Sequence, residues 1–161
     1  GVAPEYMLGS ATGAFNGGFV FQCDHNTVRE TMERCLFGSP AGSWAMMKKL
    51  DWNSTAVFLY DASDRILHGV FTPLEVGLNL EMNAFGGEMP AQVRVTVFTA
   101  APQLEMNEFI PKLELGTQRG FTELMKGTTP YITSPLLSRR EVGALLEVMQ
   151  QKAMMQAMKG K

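Results

Sequence analysis

The distribution of apolar and polar residues along the chain predicts four β-strands. Over residues 91–99 the two kinds of residue alternate, and Val93, Val95 and Val97 share one side, a period typical of a half-buried strand. Shorter apolar runs bounded by turn residues predict three further strands, at 18–23, 54–60 and 65–72. The last two runs are separated by the turn-forming segment 61–64, so we expect them to pair as a hairpin.

Helical spacing predicts a first helix after Thr27. Thr27 and Glu30 have the arrangement of a capping box, in which each side chain accepts a hydrogen bond from the other residue's backbone N–H group. Apolar residues then recur on one helical face, at Val28, Met32, Cys35 and Leu36. Gly38 is placed to end this helix and Pro40 to prevent its continuation, and a second short helix is predicted over 44–50.

The middle of the chain has a weaker pattern. Residues 73–90 are expected to be irregular with one helical turn, and residues 105–110 are expected to form a short helix that Pro111 stops or bends. The segment 116–131 is expected to be mostly loop, followed by a short extended run over 131–136.

The longest predicted helix begins after Ser138. Ser138 and Glu141 form a second capping box, and this start signal precedes a regular apolar stripe. The stripe consists of Val142, Leu145, Leu146 and Met149. The same helical pattern continues through Met154, Met155 and Met158.

The order of these elements predicts the fold class. Strands alternate with short helices and loops, without regular βαβ units, so we expect an α+β fold in which helices flank a small curved β-sheet or partial β-barrel. An ordinary antiparallel α+β sandwich is the alternative. The length of 161 residues suits one domain. We expect this domain to comprise residues 17–149, between a flexible lead-in at 1–16 and a methionine-rich helical tail at 150–161.

The composition excludes several classes of protein. Hydrophobic residues make up 45% of the chain and charged residues 19%. This composition excludes an intrinsically disordered chain and an extended coiled coil. Lys and Arg number 14 against 16 Asp and Glu, so the net charge of −2 gives no basic field for general binding to a phosphate backbone. We therefore expect no DNA partner.

The sequence also bears on the cellular compartment. No stretch of 18 apolar residues is present, so we expect no membrane partner, and residues 1–16 lack the basic and apolar segments of a secretory signal. The two cysteines, Cys23 and Cys35, suit a reducing interior in which both thiols remain free rather than form a disulfide. We expect an intracellular protein, in the cytoplasm, the nucleus or both.

Short motifs occur along the chain in the same order as in a known family. They include Gly-Phe-Val-Phe-Gln-Cys at 18–23, Leu-Phe-Gly-Ser-Pro at 36–40, Leu-His-Gly-Val-Phe at 67–71 and Pro-Ala-Gln-Val-Arg at 90–94. Over residues 17–149 this ordered set resembles the plant-type DCD (development and cell death) domain. The resemblance implies a non-enzymatic interaction module in stress response and programmed cell death signalling, acting through protein binding or self-association, and it supplies no catalytic residues.

A more distant likeness concerns the hairpin. The apolar strand 54–60, its turn and the returning Leu-His-Gly-Val-Phe at 67–71 are similar to the core hairpin of PUA-like domains, including the EVE and YTH groups. That likeness implies a small partial barrel. Because several such domains bind RNA or modified bases, it also implies an alternative function as a binder of RNA or a modified nucleotide, although a shared fold does not itself establish a shared function.

The sequence contains no known catalytic or metal-binding pattern. Cys23, His25, Cys35 and His68 are the available soft and borderline metal ligands, but their spacing matches no standard zinc site. The nucleophile elbow Gly-x-Ser-x-Gly and the glycine-rich phosphate-binding loops are absent from the sequence. We therefore expect no metal, no cofactor and no enzymatic activity.

For the RNA-binding alternative, the sequence offers one candidate ligand pocket. Its eight residues are Asp24, His25, Asn26, Trp44, Trp52, Arg65, His68 and Arg94. The polar turn would contact the edge of a base and the two tryptophans would stack on its face. The competing interpretation is structural: the tryptophans pack in the core, the asparagine caps a helix, the later histidine is hydrogen-bonded and the last arginine forms a salt bridge.

The methionine-rich end of the chain is the candidate surface for a protein partner. Methionine side chains adapt to irregular surfaces, so Met149, Met154, Met155 and Met158 are predicted to present a helix face to another protein or to a second copy. The competing interpretation is a frayed helix end with a few residues folded onto the core.

Overall fold

The computed structural model describes residues 13–160, which contain seven strands and five helices. The strands are β1 (Gly17–Cys23), β2 (Leu36–Ser39), β3 (Thr55–Asp61), β4 (Ile66–Leu78), β5 (Ala91–Val97), β6 (Leu104–Glu105) and β7 (Leu136–Ser138). The helices are α1 (Val28–Arg34), α2 (Trp44–Met47), α3 (Met106–Phe109), α4 (Leu115–Met125) and α5 (Arg139–Lys159).

All seven strands belong to one mixed sheet. Its order is β2-β5-β4-β3-β1-β7, and β6 pairs with the start of β4. The predicted hairpin of β3 and β4 is antiparallel, whereas β1 runs parallel to β3 from Gly17 opposite Thr55 to Cys23 opposite Asp61. Register shifts interrupt the pairing of β4 with both of its neighbours, and such irregularities bend a strand. The sheet curls into a half-barrel with helices beside it, which confirms the predicted α+β class.

The two faces of the sheet hold separate hydrophobic clusters. Ala56, Phe58 and Tyr60 of β3 contribute to the cluster under α3, α4 and α5, while Val57 and Leu59 contribute to the cluster inside the curl. Every residue of β3 is buried, which explains why its sequence is a continuous apolar run. The inner cluster is rich in aromatic rings, with Phe19, Phe21, Phe37 and Phe71.

The last helix follows the predicted pattern closely. The Ser138 hydroxyl accepts a hydrogen bond from the Glu141 backbone, and a Glu141 carboxylate oxygen accepts one from the Ser138 backbone, so the capping box is confirmed. The second oxygen of the buried Glu141 side chain accepts from the Glu114 backbone and ties this helix start to α4. The predicted stripe from Val142 to Met149 is fully buried, and α5 continues to Lys159.

The first helix begins after Thr27 as predicted, but its capping box is absent and its predicted end is wrong. The Thr27 side chain caps no helix N–H group; the Asp24 carboxylate instead accepts from the backbones of Asn26 and Thr27, just before the helix. The Glu30 carboxylate contacts Arg34. The helix ends at Arg34 because Cys35 adopts a left-handed backbone with φ of 49°. The following residues, from Leu36, form strand β2 rather than helix, because pairing with β5 places their apolar side chains in the core.

The middle segments also differ from the prediction. Residues 115–125 form helix α4, where a loop was predicted, because Thr117, Gly120 and Phe121 recur at helical spacing and are buried. The Phe121 ring packs edge-on against Tyr60, with ring centroids 5.0 Å apart. Strand β4 also continues to Leu78 through residues predicted to be irregular. Residues 84–87 form a tight turn where one helical turn was predicted, but Phe85 and Gly86 have left-handed backbones and are not helical.

The ends of the predicted domain can be compared only in part. The predicted lead-in over 1–16 lies mostly outside the described residues, but Phe15 is buried and its ring lies edge-on to Phe98. At the other end, α5 is buried on one side as far as Ala153. Buried residues are therefore present on both sides of the predicted range 17–149.

Candidate functional site

The polar turn after β1 is held by its own hydrogen bonds. One carboxylate oxygen of Asp24 accepts from the Asn26 and Thr27 backbones and from the Thr27 hydroxyl. His25 approaches the β3–β4 turn, where its backbone N–H donates to the Ser63 hydroxyl at 2.9 Å and its Nδ1 lies 3.0 Å from the same oxygen. His25 and Asn26 remain exposed, so this turn presents a small polar surface.

The two tryptophans pack on the inner cluster of the sheet. The Trp52 indole N–H donates to the Met47 carbonyl at 2.8 Å, and its ring lies 5.5 Å from Phe19 and stacks on Phe21 at 6.3 Å. Trp44 is half-buried against the same cluster. Both indole rings therefore pack against the hydrophobic core. This is the structural role that the sequence analysis gave as the competing interpretation.

Arg94 belongs to a charge cluster on the outside of the curl. Glu81 accepts from Arg34 at 2.7 Å and from Arg94 at 3.1 Å, and Glu75 lies 3.5 Å from Arg94. The hydrogen bond from Arg34, together with the one from Arg94, holds the pKa of Glu81 below its ordinary value. These ion pairs join α1, β5 and the loop after β4, and they neutralise the arginine that was a candidate ligand contact.

His68 and Arg65 are the remaining two residues of the predicted pocket. His68 is half-buried opposite Leu59, and burial lowers its pKa against the opposing effect of Asp61 and Asp64. Arg65 is exposed in the β3–β4 turn. Of the eight predicted residues, it alone lines any of four cavities in the described part of the chain. None of these four cavities is therefore lined by all eight residues.

A cavity that the sequence did not indicate lies on the open side of the half-barrel. It has a volume of about 230 Å³ and is lined by Val20, Gln22, Gly38, Ser39, Pro40, Gly42, Ser43, Met89, Tyr131, Ile132 and Pro135. We call it the seam cavity, because β1 and β2 both contribute to its lining. None of its lining residues is Asp, Glu, Lys or Arg, so it suits an uncharged group.

The loop before β7 closes one side of the seam cavity. The Gln22 amide donates to the Pro130 carbonyl and accepts from the Ile132 backbone, while the Val20 backbone donates to the Pro135 carbonyl. Gln22, a polar residue within an apolar strand, was the one signal in the sequence for this contact. The loop itself gave no sequence pattern from which its position could be predicted.

Met89 lines the seam cavity, and Phe85 packs beside it against β2. A Cβ at Gly38 would lie 2.8 Å from the Met89 Cβ and 2.9 Å from the Phe85 ring, so only glycine lets these side chains approach β2. Phe85 has a left-handed backbone with φ of 56°, and its N–H donates to Glu30 at 3.0 Å. The loop that carries both side chains is therefore fixed from α1.

A larger and more open depression lies between α3, α4 and the β3–β4 turn. It has a volume of about 660 Å³ and is lined by Asp64, Arg65, Glu105, Met106, Asn107, Ile110, Pro111, Thr122 and Met125. We call it the α3–α4 groove. Its apolar lining comes from α3, from the turn that follows α3 and from the end of α4, while two carboxylates and one arginine occupy its rim.

The end of α5 carries an exposed apolar surface. Met154 and Met155 are each 55% exposed and Met158 is 71% exposed. At about 100° of rotation per residue, these three lie on the side of α5 opposite the buried stripe that ends at Ala153. We call them the methionine face. Met149 was predicted to belong to it, but this residue is fully buried in the core.

Cys23 and Cys35 are both free thiols in different surroundings. Cys23 is buried, and burial together with the charges of Asp61, Asp24 and Asp64 raises its pKa to about 12. Cys35 is exposed at the end of α1. Within residues 13–160, no three His, Cys, Asp or Glu side chains are placed to hold a metal ion. In the same part of the chain, no helix is long and apolar enough to cross a membrane.

Comparison with solved structures defines the class of fold. The Mmi1 YTH domain superposes with a TM-score of 0.56 at 10% sequence identity, covering 88% of this chain and 79% of that chain. A structure titled as a complex of the YTH domain-containing protein mmi1 and RNA gives a TM-score of 0.56 at 10% identity, covering 91% and 88%. At this identity the similarity concerns the fold alone, and it agrees with the PUA-like likeness of the hairpin.

Sequence comparison then gives the family. Residues 17–126 match the family described as the Development and cell death domain, and the chain belongs to this family. It is 34% identical over 105 residues to the DCD domain-containing protein NRP of Arabidopsis thaliana, covering 60% of this chain and 30% of the relative. It is equally identical to the B2 protein of Daucus carota, covering 60% and 50%. The chain thus spans half or less of the length of these relatives.

Proposed function

We propose that this chain is a non-enzymatic interaction module that acts in stress response and programmed cell death signalling by self-association and protein binding. The observation that carries the proposal is the methionine face on α5. The description of the family supports the cellular role. Its site of action would be the cytoplasm, the nucleus or both.

The methionine face has the physical properties of a contact surface. Three large apolar side chains, Met154, Met155 and Met158, are exposed within two helical turns, and the segment 153–158 contains no charged residue. Burying such a surface against another protein releases it from water without desolvating a charge. Flexible thioether side chains also adapt to a partner without exact shape complementarity.

Light scattering coupled to size-exclusion chromatography tests this proposal. The protein should increase in mean mass as its concentration rises from micromolar to millimolar, and Met154→Lys with Met158→Lys should abolish the increase. Gln151→Lys with Gln156→Lys is the matched control, because it adds the same charge to exposed positions of the same helix segment. A wild-type protein that stays monomeric over the whole range overturns the proposal.

RNA binding is the second candidate function, favoured by the fold shared with a YTH domain whose structure is titled as a complex with RNA. The seam cavity would receive an uncharged base, with Tyr131 as its aromatic surface. Of the residues predicted from sequence, the exposed His25, Asn26 and Arg65 would serve this function. The net charge of −2 favours the protein partner instead.

Titration with labelled single-stranded RNA at two salt concentrations tests the second candidate. Binding should weaken as salt rises, and Tyr131→Ala should weaken it further, whereas Tyr131→Phe should retain it because the ring persists. The absence of binding at the lower salt concentration excludes this function.

A further inference from the structure

We propose that the methionine face of one copy docks into the α3–α4 groove of a second copy, so that the chain associates head to tail. This inference rests on the proposed self-association and adds the surface that receives the methionines. Both surfaces are exposed on the same molecule, and each is apolar at its centre. Such a combination predicts contacts between unlike surfaces of identical copies.

The groove has the size and the lining of a receptor for side chains. Its volume of about 660 Å³ lies within the range of roughly 300–1,000 Å³ typical of binding pockets. Met106, Ile110 and Pro111 of the α3 segment face Met125 at the end of α4 across it. Methionines on both sides of the contact would allow mutual adjustment, since each thioether side chain has several rotatable bonds.

The floor of the groove is held in place by the core beneath it. The Tyr60 hydroxyl lies 3.8 Å from the Met106 sulfur and donates to it. Phe109, next to Ile110 in the chain, is fully buried, and its ring packs edge-on against Tyr60 and against Phe121 of α4. The receptor surface therefore exists before the partner arrives, which lowers the entropic cost of association.

Charge also favours this pairing. The helix segment 153–158 is uncharged and is followed by Lys159, whereas the groove rim carries Asp64 and Glu105 against Arg65. When the methionines enter the groove, Lys159 would approach a rim of net negative charge. Exposed pairs of this kind contribute more to orientation and association rate than to affinity.

The geometry of α5 excludes docking within one molecule. Lys152 donates to the Gln103 carbonyl and to Glu108, and these bonds fix α5 against α3 of its own chain. The methionine face begins two residues later on the side of the helix that points away from the core. A copy therefore cannot place its methionines in its own groove while α5 stays helical, and the occupant must be a second copy.

Head-to-tail contact differs in its consequences from contact between two methionine faces. If two methionine faces contacted each other, both would be buried in a closed dimer, and no binding surface would remain for a third copy. In contrast, a face that docks in a groove leaves one free face and one free groove on the pair, so growth continues unless a ring closes. The proposal thus predicts species larger than the dimer at high concentration.

A complementation experiment tests the proposal with two deficient variants. Met154→Lys with Met158→Lys removes the methionine face, and Asn107→Lys with Met125→Lys blocks the groove at two exposed positions. Leu74→Lys with Leu115→Lys, at exposed leucines outside both surfaces, is the matched control. Circular dichroism and thermal unfolding establish that each variant is folded before its mass is measured by light scattering.

The expected result is specific to head-to-tail contact. Each deficient variant alone should associate at least ten-fold more weakly than the wild type, the control should associate like the wild type, and an equimolar mixture of the two deficient variants should form a heterodimer and nothing larger. If the groove variant associates like the wild type, or if the mixture forms no heterodimer, the inference is overturned while the methionine-dependent self-association still stands. If the wild type never associates, the proposed function fails as well.

Discussion

Gly69 lies directly against the ring of Phe58. A Cβ at position 69 would come within 2.6 Å of the Phe58 Cδ1 and 2.9 Å of its Cε1. The Phe58 ring is fully buried between the sheet and the helices, so it has no free space into which it could move. Glycine is therefore required at position 69 for the hairpin to close over this part of the core.

Replacing this glycine should destabilise the protein. We expect Gly69→Ala to lower the free energy of unfolding by about 1–3 kcal/mol, the usual cost of forcing an extra methyl group into a packed core. Urea unfolding followed by circular dichroism measures the change. Gly42→Ala is the matched control, because a Cβ there meets no atom within 4 Å. Equal stability of the two variants would show that the Phe58 ring can move aside to make room for the added methyl group.

The sequence predicted correctly those helices and strands whose signals lie within a few consecutive residues. The alternation of valines predicted β5, and the pairing of Ser138 with Glu141 predicted the start of α5, because both signals lie within a few residues. Strand β2 was missed because its residues, from Leu36, are extended only by pairing with β5, more than fifty positions away. Helix α4 was missed because Gly116 and Gly120 lower the helical propensity of its sequence. The helix forms because packing of Phe121 in the core compensates for this low propensity.

The candidate sites also divide into features that local sequence patterns predict and features that depend on distant contacts. Helical spacing alone predicted that the helix would continue through Met158, and the structure confirms this. The ligand pocket was assembled from residue types, but the partner of Trp52 is a carbonyl at Met47 and the main partner of Arg94 is Glu81, in a segment without a pattern. Neither cavity was visible in the sequence, because each is lined by segments that are distant along the chain.

The capping box of α5 gives a second prediction. Ser138→Ala should lower the free energy of unfolding by about 1 kcal/mol, because the Glu141 backbone N–H at the helix start loses its hydrogen-bond acceptor. Ser134→Ala, a serine four residues earlier that lies outside the helix, is the control. Thermal or urea unfolding compares the two variants, and a smaller loss for Ser138→Ala than for the control would contradict the role of this cap.

His68 should make stability depend on pH. Burial holds its pKa in the folded protein below the ordinary value of about 6.5, so the unfolded chain binds the proton more readily. Above that value both states are neutral and the histidine has no effect. As the pH falls through that value, the unfolded state gains protons first, and the free energy of unfolding declines.

Urea unfolding at about pH 7.5 and about pH 5.5 measures this dependence. We expect His68→Gln to reduce the decline relative to the wild type, and His25→Gln, which removes the exposed histidine, to retain it. An unchanged decline in His68→Gln would assign the effect to carboxylates, which titrate at lower pH.

The two thiols should react at very different rates. Cys35 is exposed at the end of α1, whereas Cys23 is buried and burial raises its pKa to about 12, so at pH 8 nearly all of Cys23 is the unreactive thiol. A disulfide reagent such as dithionitrobenzoate should therefore modify one thiol rapidly in the native protein and the second only on unfolding. Cys35→Ser should remove the rapid phase and Cys23→Ser should preserve it. Two rapid equivalents in the native wild type would mean that the region around Cys23 opens readily, because its thiol is buried in the closed structure.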